Sequence, residues 1–238
     1  MGEYVNSYKI NNKIVNMLPL YKTLTYTSEK FKIDYQDTAD ITINCSQELY
    51  DKFYKIHNHL TFDEIERILT SMQFNRYIMD YNSIMLHASA IVYKDFAYLF
   101  SGKSQVGKTT HTKMWQKYFP KEDIVILNDD KPVINTNEGN VLAYGTPWSG
   151  NSIECESMAV PIGSIVFLEQ GSYNKLVKLE NTNQILPLLL EQTVHKVSEC
   201  NMNKILDTIG IIVNECNFYK LICNTSIDAV EESKKIIL

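Results

Sequence analysis

The chain of 238 residues has only two arginines, Arg67 and Arg76, and no block of lysines that would make up for them. With a formal net charge of −5, nothing draws it to nucleic acid or to an anionic membrane surface, so a nucleic-acid partner is not expected. Its first twenty residues alternate polar and apolar types and lack the continuous apolar core of a signal peptide. Gly2 is followed by Glu3, Tyr4, Val5 and Asn6, without the serine or threonine of a myristoylation signal. The longest apolar run, Ile185 to Leu190, is far too short to span a bilayer. Five cysteines are odd in number and form no C-x-x-C pair, which fits reduced thiols better than a disulfide framework or zinc site. A cytoplasmic protein without membrane contact is the expectation. Repeats, low-complexity tracts and Pro/Gly-rich linkers are missing as well, and 45% hydrophobic residues suffice for one substantial core.

The order of elements reads as mixed α/β. Residues 1–60 carry short strand patterns ("SYKI", "KIVNML", "ADITINC") and are expected to be a β-rich portion packed on a core formed by 61–238, itself one compact unit. Thr61 with Glu64 makes a capping box, so a helix starts there. A strand over Met85–Val92, a tight turn at Lys94-Asp95 and a strand over Ala97–Phe100 predict a hairpin, and Thr109–Tyr118 reads as a helix. "DIVILNDD" is a buried strand with an acidic end, and "KPVINT" with "NVLAYGTPW" a second hairpin. "GSIVFLEQ" with "KLVKLE" reads as a third. Two helices over Thr182–Asn214 with a break near Asn201, a strand "FYKLICN" and a last helix capped by Ser226 complete the chain.

Between the first hairpin and its helix lies Gly102-Lys103-Ser104-Gln105-Val106-Gly107-Lys108-Thr109, followed by Thr110. This is the full G-x-x-x-x-G-K-[ST] pattern, and average residue frequencies put a chance match in a chain of this length at about one in a hundred. Each part has a physical role. The glycines let successive amides turn toward phosphate oxygens, and the helix N-terminus adds partial positive charge. Lys108 is placed to bridge β- and γ-phosphates, and Thr109 to offer its hydroxyl to Mg²⁺. About twenty residues later Asp129 and Asp130 end a hydrophobic strand. One carboxylate can hold a metal while the other accepts the proton of an attacking hydroxyl. His87 stands fifteen residues before Gly102, so the hairpin returns it beside the loop. In "YGTPWSG" (Tyr144–Gly150) two readings stay open. One is a structural turn with Trp148 in the core; the other is a wall of the acceptor or phosphate pocket with Thr146 and Ser149 as donors.

A histidine-led strand, a short hairpin, this loop and an Asp-Asp strand end together resemble the HPr kinase/phosphorylase family, whose fold is shared with phosphoenolpyruvate carboxykinases. "HASA" and "AYGTPWSG" resemble a compact branch in which some members phosphorylate a serine of a precursor peptide. The resemblance covers roughly Met85 to Gln170. It implies an α/β kinase of that type, with a mixed sheet, hairpins around the loop and flanking helices. It also implies ATP and Mg²⁺ as cofactors and a peptide or protein, such as a precursor peptide, as acceptor. Residue by residue, it implies that Lys108 and the loop amides bind phosphate, Thr109 ligates Mg²⁺, and Asp129 is the base. Asp130 supports Asp129 or the metal, His87 positions or polarises the Asp129 carboxylate, and Glu154 falls near a further metal ligand. The family's Arg/Lys-rich loop has no counterpart, so HPr and the reverse phosphorylase reaction are not expected. Gln105-Val106 stands where the family commonly has Ser-Gly, which should stiffen the loop. A carboxykinase-like reaction would need an arginine cluster that is absent. The other reading is a nucleotide-binding regulatory or scaffold protein without an acceptor. The choice of ATP over GTP and a homo-oligomeric state stay open.

Overall fold

The computed structural model describes residues 6–35, 37–120, 122–193 and 199–237. In chain order its elements are β1 (Asn6–Ile10), β2 (Lys13–Met17), α1 (Lys22–Ser28), β3 (Lys32–Ile33), β4 (Ile41–Thr42), α2 (Gln47–Ile56) and α3 (Phe62–Ile78). There follow β5 (Ser83–Met85), β6 (Ala88–Tyr93), β7 (Phe96–Ser101), α4 (Lys108–Tyr118), β8 (Val125–Asn128), β9 (Val133–Asn135) and β10 (Leu142–Tyr144). The last are β11 (Ala159–Gln170), β12 (Lys175–Leu179), α5 (Thr182–Thr193), α6 (Glu199–Glu215), β13 (Asn217–Cys223) and α7 (Asp228–Ser233). A four-stranded sheet runs β3-β1-β2-β4. A nine-stranded one runs β5-β9-β10-β11-β7-β6-β8, with β13 joining β11 to β12. β11 is parallel to β7 and to β13, while β6 is antiparallel to β7 and β8, so the architecture is mixed α/β.

β7 shows how the large sheet makes its core. Successive side chains point to opposite faces. Ala97 and Leu99 join a cluster with Ile185, Leu189, Ile205, Ile209 and Ile212 of α5 and α6. Tyr98 and Phe100 join Met114 and Trp115 of α4 and Ala229 and Val230 of α7 on the other face. A strand covered on both faces is hydrophobic throughout, as "AYLF" is. A third cluster joins Tyr8, Ile10, Val15 and Met17 of the small sheet to Phe74 and Ile78 of α3, with Val133 and Trp148.

Local signals hold well. Thr61 and Glu64 form both bonds of the capping box at the start of α3. Lys94 (φ 47°) and Asp95 (φ 66°) give the β6–β7 hairpin two left-handed turn residues, whose twist suits a two-residue connection.

Several expectations are corrected. The first sixty residues hold two helices as well as strands, and α2 is capped by Ser46, whose hydroxyl accepts from the Leu49 amide. The strand over Met85–Val92 is two strands: Leu86-His87 separates β5 from β6 because the chain changes partners there, with His87 N–H donating to Gln192 O (3.0 Å). β11 and β12 are not a hairpin. The apolar β13 inserts between them, parallel to β11 and antiparallel to β12. β12, with Lys175, Val177 and Lys178 exposed, suits an edge position. Asn201, expected near a break, lies inside α6 (Glu199–Glu215), and residues 194–198 ahead of that helix are outside the described residues. Ser226 does not cap α7 through its side chain: its carbonyl accepts from Ala229 N–H, and its hydroxyl faces Asn174 Nδ2 (3.4 Å).

Candidate active site

The loop between β7 and α4 is shaped by three left-handed backbone positions, Gly102 (φ 145°), Gln105 (φ 64°) and Gly107 (φ 103°). At Gly102 a Cβ would come within 3.1 Å of Leu168 O and 3.2 Å of Val106 Cγ1, so the position demands glycine for space as well as for φ. Gly107 is the N-cap of α4 and supplies no side chain to its amides. The first bond into the helix is His111 N–H to Gly107 O (2.9 Å), which leaves the amides of Gly107, Lys108, Thr109 and Thr110 ahead of the intrahelical ladder. Lys103, Ser104, Gln105 and Thr110 are exposed, while Val106 and Thr109 are half-buried. Lys108 is buried and folds back, its Nζ donating to Gly102 O (3.0 Å) and Lys103 O (3.1 Å). Burial pulls its ammonium down to about 8. The negative charge of Asp130 opposes that, Lys131 adds to it, and Asp129 opposes it to a lesser degree.

The acidic end of β8 is built by Asn128. Its Oδ1 accepts from the amides of Asp130 (2.9 Å) and Lys131 (2.6 Å), and its Nδ2 donates to Thr146 O (2.8 Å). This Asx turn separates the two carboxylates. Asp129 is 4% exposed and accepts from Ser89 Oγ (2.9 Å) on Oδ1 and Ser152 Oγ (2.5 Å) on Oδ2. Asp130 takes Lys131 Nζ (2.8 Å) and lies 3.3 Å from His87 Nε2. Burial pushes His87 down to about 4, helped by Lys131 and Lys108 and opposed by Asp130, so the imidazole is neutral at pH 7. Its carbonyl accepts from Ser101 Oγ (2.9 Å), which fixes it beside the loop's start. The expectation that His87 acts on Asp129 is corrected: its ring meets Asp130.

The "YGTPWSG" segment closes over these acids. A Cβ on Gly150 would come within 3.1 Å of Asp129 Oδ2, and Thr146 Oγ1 donates to Lys131 O (2.8 Å). Arg67 Nη1 holds Ser149 O (3.1 Å), while Ser149 Oγ is buried with no hydrogen-bond partner among the described residues. Trp148 is core. It is 1% exposed, its Nε1 donates to Thr70 Oγ1 (2.9 Å), and its ring lies 4.6 Å from that of Phe74.

Thr109 and Asp130 offer a hydroxyl and a carboxylate oxygen, the hard donors that Mg²⁺ takes alongside phosphate oxygens and water. Glu154 is engaged elsewhere, in an ion pair with Lys113 of α4. Among the described residues no group of three or more His, Cys, Asp or Glu side chains is arranged to hold a metal by itself. Ser89, Lys131, Ser152 and Arg67 belong to the site and were not singled out from the sequence. Ser89 follows His87 at the two-residue strand period, and Lys131 adjoins the aspartate pair, so both carried a local signal. Ser152 and Arg67 reach the site only through tertiary contact.

No family model and no curated protein matches the chain. Among solved structures it is similar to the Hpr(Ser) kinase/phosphatase from Coxiella burnetii, over 55% of this chain and 88% of that one, at 10% identity and a TM-score of 0.30. A likeness of that size leaves the chemistry to the side chains. Among the described residues no helix is long and apolar enough to cross a membrane.

Proposed function

We propose that the chain is an ATP-dependent kinase that moves the γ-phosphoryl group to a hydroxyl, that of a serine in a peptide or protein. The observation that carries this reading is the meeting of Lys108, Asp129 and Asp130 at one end of the large sheet, close enough for both carboxylates to act on the lysine's charge. Hydrolysis of a nucleotide needs a phosphate cradle and a metal ligand. A second, buried carboxylate held apart from the first adds a proton acceptor.

In this reading the amides at the start of α4 and Lys108 receive the β- and γ-phosphates, whose charge draws the ammonium from the carbonyls of Gly102 and Lys103. Mg²⁺ held by Thr109 and Asp130 would neutralise charge on those phosphates. Neutral His87 and Lys131 orient Asp130. Asp129, almost dry and aimed by two serine hydroxyls, takes the proton of the acceptor as its oxygen attacks. The test is incubation with Mg·[γ-³²P]ATP and serine-bearing peptides, including candidate precursor peptides. Label on a serine hydroxyl supports the reading. Mg·ATP binding without transfer to any hydroxyl would make the chain a nucleotide-binding module instead.

A further inference from the structure

An acceptor hydroxyl has to sit within hydrogen-bond reach of the base that deprotonates it. Ser152 already does. Its Oγ donates to Asp129 Oδ2 at 2.5 Å and accepts from Glu154 N–H (3.4 Å), which leaves one lone pair of the oxygen for attack. The other hydroxyl on Asp129, Ser89, is fully buried inside β6 and shared with Thr112 Oγ1 (2.8 Å), so it is fixed in the core. Ser152 is half-buried on a surface turn.

That turn is held in a strained form. Ile153, the next residue, has φ 55°, a conformation that β-branched residues rarely adopt, and its side chain is 44% exposed, so burial does not explain it. The strained backbone is closed by Ile153 N–H to Gly150 O (3.2 Å), with Gly150 packed on Asp129. Its visible result is the placement of the Ser152 hydroxyl on the carboxylate.

We propose that Ser152 is itself a phosphate acceptor, phosphorylated within its own chain. The proposal rests on the kinase reading. Ser152 Oγ forms a bond to the γ-phosphorus, the bond from that phosphorus to the β–γ bridging oxygen breaks, the hydroxyl proton passes to Asp129, and ADP leaves. No oxidant, reductant or second substrate is needed.

The experiment uses the full chain with Mg·[γ-³²P]ATP and no added acceptor, followed by peptide mass mapping. One phosphoryl group is expected on the peptide that contains Ser152, formed with a rate constant unchanged by hundred-fold dilution of the protein. Ser152→Ala should abolish that label and Ser152→Thr, which keeps a hydroxyl, should retain it. A parallel reaction with an external serine peptide separates the two levels. Label on the peptide but none on Ser152 overturns the proposal and leaves the kinase reading standing. Label on neither, with Mg·ATP bound, overturns both. A rate constant that falls with dilution overturns transfer within one chain.

Discussion

His111 should make the fold acid-labile in a way that a single substitution reports. It lies on α4 three residues after Lys108, is 1% exposed, and packs on the Phe100 ring with centroids 4.6 Å apart. The indole N–H of Trp115, which can only donate, is shared between its Nε2 (3.2 Å) and Ser233 Oγ (3.0 Å). Ser233 Oγ sits 3.1 Å from the same nitrogen, and Nδ1 has no hydrogen-bond partner among the described residues. A second ring proton would therefore bring a charge into a dry site where Nδ1 has no acceptor to receive it. Burial pushes the imidazole down to about 4. In the unfolded chain a histidine titrates near 6.5, so between the two values the unfolded state binds a proton that the native state refuses. Stability is thus intact above pH 6.5 and falls as the pH drops toward 4. Integrated from pH 7 to pH 5, the loss is about 2 kcal/mol. His111→Gln keeps a polar side chain beside Trp115 and Ser233 but cannot titrate. Urea melts of both proteins at pH 7 and pH 5 should show the wild type losing about 2 kcal/mol more than the variant. His87 shifts in the same direction in both proteins and cancels in the comparison. Equal losses would mean that His111 is hydrated or charged in the native state.

Four further outcomes are expected. Lys108→Ala should weaken Mg·ATP binding by roughly ten- to hundred-fold in calorimetry, the scale of one or two charge-assisted hydrogen bonds; equal binding would take the lysine out of the nucleotide site. Asp129→Asn keeps the shape and an acceptor for one of the two serine hydroxyls but cannot accept a proton, so phosphoryl transfer to a serine peptide should fall by about 10²-fold or more while Mg·ATP binding persists, and Asp130→Asn should instead raise the Mg²⁺ requirement. Trp148→Ala should lower stability by about 3–5 kcal/mol in urea melts, the cost of emptying a large buried site; a loss below about 1 kcal/mol would contradict the packing of Trp148 on Phe74 and Thr70.

What could be read from the sequence is what neighbouring residues decide among themselves. The capping box at Thr61, the left-handed turn at Lys94-Asp95 and the alternation of Tyr98, Leu99 and Phe100 are settled within a few residues. The choice of strand partners is not. "GSIVFLEQ" and "KLVKLE" look like a hairpin because they are adjacent. β13 enters between them because its Phe218 and Leu221 need an interior place and the lysines of β12 do not. His87 shows the same limit. A continuous strand through Leu86 is locally reasonable, yet the carbonyl of Gln192, on a helix a hundred residues away, takes its amide and ends the ladder there.

The aspartate pair lies between these cases. The sequence places both at the end of a hydrophobic strand, but β8 stops at Asn128, and the turn that follows it decides which carboxylate becomes dry. Asn128 bends the chain so that Asp129 turns under Gly150 to meet Ser89 and Ser152, while Asp130 turns toward Lys131 and His87. A carboxylate with a lysine beside it and an oxygen left over is suited to share a cation. One held by two hydroxyls and almost excluded from water is suited to hold a proton for the instant of transfer. The environments differ although the residues are identical and consecutive, and exchanging the pair's partners rather than its carboxylates should be enough to confuse the roles. In Ser89→Ala the Asp129 carboxylate loses one of its two anchors. The rate of transfer should then fall while the Mg²⁺ requirement stays put, and a shift in the Mg²⁺ requirement instead would show that Asp129, not Asp130, serves the metal.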